Sequence, residues 1–200
     1  LEEIKDQIKF HDCDILDFKK MEEICKDVDG VFHQAALTVV QESYTKKEEY
    51  YKVNVKGTEN IFSLAKKYNF KVVFASSSSI YGNTNNIPIK ENFDRNPINP
   101  YGQTKLEDEY LAEKFWDMGV NIIGLRYFNA YGSREFYKSN TASMIIQLGH
   151  QILSGKTPRL FEDSDQIFRD FIYIDDIIQA NIKACNSMQN GTFNVGTSIQ

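Results

Sequence analysis

Three short apolar runs, Gly30–Ala35 (GVFHQA), Lys71–Ser76 (KVVFAS) and Asn121–Arg126 (NIIGLR), are separated by stretches whose apolar residues recur at helical spacing. Phe18, Met21, Ile24, Cys25 and Val28 form one such face, and Val53, Ile61, Leu64 and Ala65 a second. Leu106, Tyr110, Leu111 and Phe115 form a third. Strands alternating with helices of this length predict right-handed βαβ units and an α/β, doubly wound parallel sheet covered on both faces. After Ala130 the pattern loosens. A helix near Thr141–Leu153, a short strand PRLF from Pro158 and a last helix over Asp175–Ser187 predict a smaller, mixed region. Residues 1–130 then form one unit and 131–200 a second, with elements over about 167–196 returning to the main sheet.

A chain of 200 residues, 42% hydrophobic, suffices for one domain with a sizeable core. Its net charge of -5, with no stretch concentrating Lys and Arg, argues against nucleic acid as a partner. No apolar run approaches membrane-spanning length and the N-terminus has no signal-peptide pattern, so no membrane partner is expected. Cys13, Cys25 and Cys185 are scattered and odd in number, which fits a reduced, cytoplasmic protein. The three histidines lack metal-ligand spacing, so no metal is expected.

The serine run in ASSSSIYGN (Ala75–Asn83) follows KVVF, at the carboxyl end of an expected strand. Ligands of open parallel sheets bind there. Either the run is a tolerant turn, or its hydroxyls face a ligand. Further on, PYGQTK places Tyr101 and Lys105 four apart at a helix start, on one face. An ammonium beside a phenol favours the phenolate, which makes it a usable proton acceptor. A second pair at this spacing, Tyr110 and Lys114, is set apart by geometry. Nine residues at roughly 100° each turn Tyr110 about half a turn from Tyr101. Tyr110 continues the apolar stripe and is expected in the core, with Lys114 solvated. Tyr101 lies off the stripe and is the chemical candidate.

In order along the chain, VFHQAA, NVKGTENI, ASSSSIYGN, NPYGQTK, LRYFNAYG, FRDFIYIDD and FNVGTS resemble the extended short-chain dehydrogenase/reductase family of nucleotide-sugar epimerases. The resemblance covers nearly the whole chain. It implies a Rossmann-like sheet that binds NAD or NADP and a smaller C-terminal region that closes over a nucleotide sugar. By that resemblance Tyr101 is the catalytic base, Lys105 tunes it and holds the nicotinamide ribose, and Ser77 hydrogen-bonds the reacting sugar oxygen. Asp14 and Ile15 match a pair at the adenine, Ala35 and Ala36 line the cofactor path, and Asn54 braces the site. Tyr127 flanks the nicotinamide. Ser78 is auxiliary, Asn129 meets the substrate, and Arg169 grips its diphosphate, a task suited to a bidentate guanidinium. Related 4,6-dehydratases carry an Asp-Glu pair where this chain has Ser78 and Ser79, so elimination of water is not expected.

The substrate is divided between two likenesses. YGSREFYKSNTASMIIQL resembles ADP-glycero-manno-heptose 6-epimerases, in which a lysine at the position of Lys138 is a second acid/base. FHQAALTVVQES and YYKVNVKGT in the N-terminal half resemble UDP-hexose 4-epimerases. The substrate-region residues favour the heptose enzyme, with a UDP-glucose or UDP-N-acetylglucosamine 4-epimerase as the alternative. A catalytically silent, cofactor-sensing relative is the third reading. Family members often pair through helices that would include the Tyr101 helix, so a homo-oligomer is expected. No G-x-x-G-x-x-G can be read in the chain. It is therefore expected to be a fragment lacking the family's first strand and Gly-rich loop. NAD against NADP stays open, because the residue that reads the ribose 2′ position follows that strand.

Overall fold

Val72 and Phe74 point to one face of a parallel sheet and Val73 to the other, because side chains alternate along a strand. The computed structural model describes residues 2–84, 86–160, 162, 164 and 168–198. A 3-10 turn (Glu2–Gln7) is followed by α1 (Phe18–Cys25), β1 (Gly30–His33), α2 (Val40–Thr45) and α3 (Lys47–Tyr50). A π-helical run, Tyr51–Lys56, joins α3 to α4 (Gly57–Tyr68). Next come β2 (Lys71–Ser77), a 3-10 turn (Ser78–Tyr81), α5 (Pro100–Asp117), β3 (Ile122–Tyr127) and β4 (Asn129–Tyr131). A 3-10 turn (Phe136–Thr141), α6 (Met144–Leu153), β5 (Phe171–Tyr173), α7 (Ile174–Asn186) and β6 (Gly191–Val195) complete the order.

The main sheet runs β1-β2-β3-β6, all parallel, with Val73 opposite Ile123 and Leu125 opposite Phe193. One face carries α1, α4 and α5 over a core that includes Ile61, Phe62, Leu64, Phe74, Phe115 and Ile122. Phe62 meets Phe74 and Phe115 edge-on, with ring centroids 5.4 and 5.7 Å away. The other face carries α7, whose Ile177 and Ala184 pack on Val73, Ile123 and Leu125. The doubly wound α/β fold expected from the alternating pattern is the one observed. A separate pair, β4 and β5, sets Asn129 opposite Phe171 beyond the edge of the main sheet.

Local chemistry explains where α5 begins. Pro100 fits the first helical position, where no backbone donor is needed, and the Asn99 side chain accepts from Gly102 N at 2.8 Å. Gly102 is required for a different reason. A Cβ there would lie 2.7 Å from Ser79 O, so the first turn of α5 is seated directly on the serine loop.

Three expectations change. Pro158–Leu160 form no strand; Phe161 lies outside the described residues. The α6 helix starts at Met144 rather than near Thr141, with the Ser143 hydroxyl accepting from Ile146 N. Tyr110 is not a core residue: it is 38% exposed, with the Arg95 guanidinium 4.8 Å above its ring. Ala112 joins Phe115 in the core instead, while Glu109 occupies the neighbouring buried position, paired with two arginines. Lys114 is exposed, as expected.

Candidate active site

The carboxyl ends of β1, β2 and β3 bring His33, Ser77 and Tyr127 to one edge, with Ser77 directly opposite Tyr127. Ser77 is buried, and its Oγ accepts from Ser79 N at 3.1 Å, closing the 3-10 turn that follows. A hydroxyl that accepts from a backbone amide still has its own proton to give. Ser76, its neighbour, is committed elsewhere: it donates to Glu109 Oε1 at 2.5 Å on the core side. Alternation along β2 thus separates a structural serine from an available one. Ser78 begins the 3-10 turn and is half-buried.

Tyr101 and Lys105 occupy the first two turns of α5, and the first of these turns rests on the Ser79 backbone. Tyr101 is half-buried, whereas Lys105 is 3% exposed. Among the described residues, the hydrogen-bond partner of the Lys105 ammonium is Asp108 Oδ2, at 3.1 Å. The ammonium carries three protons, so it keeps donors for the hydroxyls of a ligand.

Asn54 braces the loop that holds Ala35 and Ala36. Its Oδ1 accepts from Leu37 N at 2.8 Å, and its Nδ2 donates to Leu37 O at 3.0 Å and Thr104 Oγ1 at 2.9 Å. The π-helical run aims this side chain inward; such widened turns recur at functional sites. Beneath it, the Thr58 hydroxyl donates to Asn54 O at 2.5 Å and lies near the Asp108 carboxylate. Since its single proton goes to Asn54 O, His33 Nε2 must be the donor to Thr58 Oγ1, at 2.8 Å. Burial, followed by the nearby Lys105 charge, depresses the His33 pKa to about 3 and keeps the ring neutral.

Tyr127 closes a three-membered ring of bonds. Asn181 donates to the Tyr127 hydroxyl at 2.7 Å, the hydroxyl donates to Gln34 Oε1 at 3.2 Å, and Gln34 donates to Asn181 Oδ1 at 3.2 Å. Burial pushes this phenol's pKa up, so the ring stays protonated at neutral pH. Ile15, expected beside an adenine, packs its Cδ1 where a Cβ on Gly57 would sit, and its carbonyl accepts from Asn60. Asp14 is exposed, and its Oδ1 accepts from Leu16 N. Asn129 donates to Asp170 O at 2.8 Å, which ties the β3–β4 turn to the segment carrying Arg169. Arg169 is exposed and donates to Phe168 O. Lys138 projects from the turn after β4, with Glu135 Oε1 3.4 Å from its Nζ and Glu135 Oε2 accepting from Ser143 at 2.6 Å.

Residues 1–196 match the model of the NAD dependent epimerase/dehydratase family. The chain belongs to that family. It is similar to an ADP-L-glycero-D-manno-heptose-6-epimerase of Brachyspira hyodysenteriae, 36% identical over 85% of this chain and 54% of the relative. It is equally similar to a putative UDP-glucose 4-epimerase of Methanocaldococcus jannaschii, 37% identical over 97% of this chain and 64% of the relative. Among solved structures, a UDP-N-acetylglucosamine 4-epimerase from Methanobrevibacter ruminantium, in complex with UDP-N-acetylmuramic acid, superposes with a TM-score of 0.87. The two are 36% identical, over 92% of this chain and 59% of that one. The chain thus spans roughly half to two thirds of the length of these epimerase-family relatives.

A nicotinamide dinucleotide suits the residues present. The buried Lys105 ammonium has protons to spare, and Ala35 and Ala36 leave the loop after β1 without bulky side chains. Sequence reasoning missed His33, Thr58, Thr104, Asp108, Gln34 and Asn181. Asp108 was visible as KLED, an acid three residues after the lysine on the same face, but Asn181 left no local signal.

Proposed function

We propose that this protein is an NAD-dependent nucleotide-sugar epimerase that inverts one sugar carbon through a transient ketone. The observation that supports the reading is the contact between the first turn of α5, which carries Tyr101, and the serine loop that follows Ser77. Gly102 permits that contact. Tyr101, as phenolate, removes a hydroxyl proton from the sugar. Lys105, one turn on, favours the phenolate and offers its remaining protons to ribose hydroxyls. Ser77 keeps its proton and donates a hydrogen bond to the same sugar oxygen as charge develops on it. NAD, held at its ribose by Lys105, would supply the reversible hydride acceptance at the hydroxyl-bearing carbon on which the inversion depends. Ser78 and Ser79 offer no carboxylates, so an acid-base pair for dehydration is lacking at that point of the loop.

The proposed substrate is an ADP-heptose, with Lys138 as a second proton-transfer group and Arg169 on the diphosphate. Supporting this is the exposed ammonium of Lys138, whose carboxylate neighbour Glu135 is itself anchored by Ser143. The likeness to the Methanocaldococcus protein favours a second reading, a UDP-hexose 4-epimerase. Both are tested by assaying the full-length protein on ADP-heptose, UDP-galactose and UDP-N-acetylglucosamine with Tyr101→Phe and Lys138→Ala. Loss of activity in both variants on ADP-heptose supports the first reading. Loss in Tyr101→Phe alone removes the two-base scheme. Nicotinamide absorbance that never responds to any of the three sugars leaves a cofactor sensor.

A further inference from the structure

The α5 helix carries two adjacent buried carboxylates with separate partners. Glu109 turns toward β2 and β3, where Arg126 meets it through Nε at 2.9 Å and Nη2 at 2.8 Å, and Arg95 at 3.1 Å. Asp108 turns toward the candidate site. Its Oδ2 lies 3.1 Å from Lys105 Nζ, and the two side chains are 0% and 4% exposed. Tyr101, Lys105 and Asp108 follow spacings of four and three, which places all three on one stripe of the helix.

The groups facing Asp108 are few. From its own helix they are Lys105 and Glu109; from α4 comes the Thr58 hydroxyl; from β1, beyond Thr58, comes His33. Glu109 is neutralised by its two arginines, and His33 is uncharged. Lys105 is therefore the cation that answers Asp108, and Asp108 the anion that answers Lys105. Burial pushes the Asp108 carboxyl up to about 6, against the pull of Lys105, so it is still largely ionised at neutral pH.

We propose that Asp108 is a positioning residue for Lys105: it keeps the buried ammonium charged, fixes it one turn below Tyr101, and moderates that charge as the phenol feels it. The inference rests on the reading of Tyr101 and Lys105 as the catalytic pair. Removing the carboxylate has two effects of one sign. Lys105, without a counterion, gives up its proton more readily. While charged, it acts unscreened and favours the Tyr101 phenolate further. Both limbs of a bell-shaped pH–rate profile therefore move toward acid.

The test is Asp108→Asn in the full-length protein, an isosteric change that removes the charge. For the NAD-loaded enzyme, the kcat/KM profile on the sugar nucleotide that it turns over is expected to shift by about one pH unit toward acid on both limbs. In cofactor-free protein, the pH response of the Lys105 side-chain NMR signal, assigned with Lys105→Arg, is expected to differ from the wild type. A fall in rate with unmoved limbs and an unmoved Lys105 signal overturns the proposal and leaves Asp108 a packing residue. If the protein turns over no sugar, the epimerase reading fails, yet the NMR measurement still decides the pairing. If Asp108→Asn does not fold, the Asp108 carboxyl carbon is followed in Lys105→Met. An upward shift in its titration supports the pair, and an unchanged one overturns it.

Discussion

Asn54 and Thr104, fifty residues apart in the chain, are joined by a buried hydrogen bond of 2.9 Å that ties the π-helical run to the helix carrying Tyr101. The same amide holds both backbone groups of Leu37, so one side chain fixes three segments.

Asn54→Ala strips partners from Leu37 N, Leu37 O and the Thr104 hydroxyl. Buried groups left unpaired cost about 1–3 kcal/mol each where water does not reach them. Leu37 is half-buried, so water takes over part of its lost pairing, and the expected loss in urea denaturation is about 3 kcal/mol in all, with weaker NAD binding along the proposed Ala35–Ala36 path. A variant as stable as the wild type would show that the Leu37 loop is held by other contacts.

Tyr101→Phe leaves stability unchanged, since among the described residues Tyr101 contributes to the fold its ring and its carbonyl, which accepts from Thr104. Turnover falls about 10²–10⁴-fold, the usual worth of a positioned proton acceptor. Urea midpoints and kcat, measured on the same preparations, separate the two. A variant that retains wild-type kcat would remove Tyr101 from the chemistry.

His33 and Asp108 bias stability in opposite directions with pH. His33 falls from 6.5 in the open chain to about 3 when folded, so its contribution is present above pH 6.5 and is lost as pH drops toward 3. Asp108 rises from 3.8 to about 6, so its contribution is full below pH 3.8 and is lost as pH climbs through 6. Between about pH 4 and 6 these two slopes cancel. His33→Gln keeps a donor for Thr58 but does not titrate, and it uncovers the Asp108 slope. Relative to wild type, the variant gains stability as pH falls across that window, by roughly 1.4 kcal/mol per pH unit at most. Parallel urea-midpoint curves for the two proteins would refute this.

Glu109→Ala leaves the Arg126 guanidinium, 3% exposed at its side chain, without its bidentate partner. Breaking one side of a buried ion pair costs about 3–5 kcal/mol. Replacing both residues with apolar ones of similar volume recovers much of that loss. Denaturation of the two single variants and the double variant checks the pairing; additive losses would contradict it.

Much of the fold was legible because β2 and β3 are buried on both faces and therefore read as unbroken apolar runs, with helices of regular period between them. The region after Ala130 was harder. PRLF has the composition of a strand but lacks a paired neighbour over Pro158–Leu160, and strand formation depends on that neighbour. Tyr110 misled because periodicity reports a face, whereas the Arg95 guanidinium gave this ring a partner at the surface. At the candidate site, Ser77 and Tyr101 are proposed from local motifs. The support beneath them was not legible. Thr58, His33 and Asp108 meet only after β1, α4 and α5 are packed, and no spacing along the chain records that meeting.

The widened turn at Tyr51–Lys56 acts as a phase adjuster within one continuous rod from Lys47 to Tyr68. Shortening it by a single residue would restore ordinary winding and leave the helix on either side close to its present phase, because the widened turn takes up one extra residue; the side chains within the run are the ones re-aimed. The Asn54 amide would then sweep away from Leu37 while α4 kept its place on the sheet. A one-codon deletion there would spare the hydrophobic interior yet disconnect the cleft wall, making this short run the place where length, more than composition, is constrained.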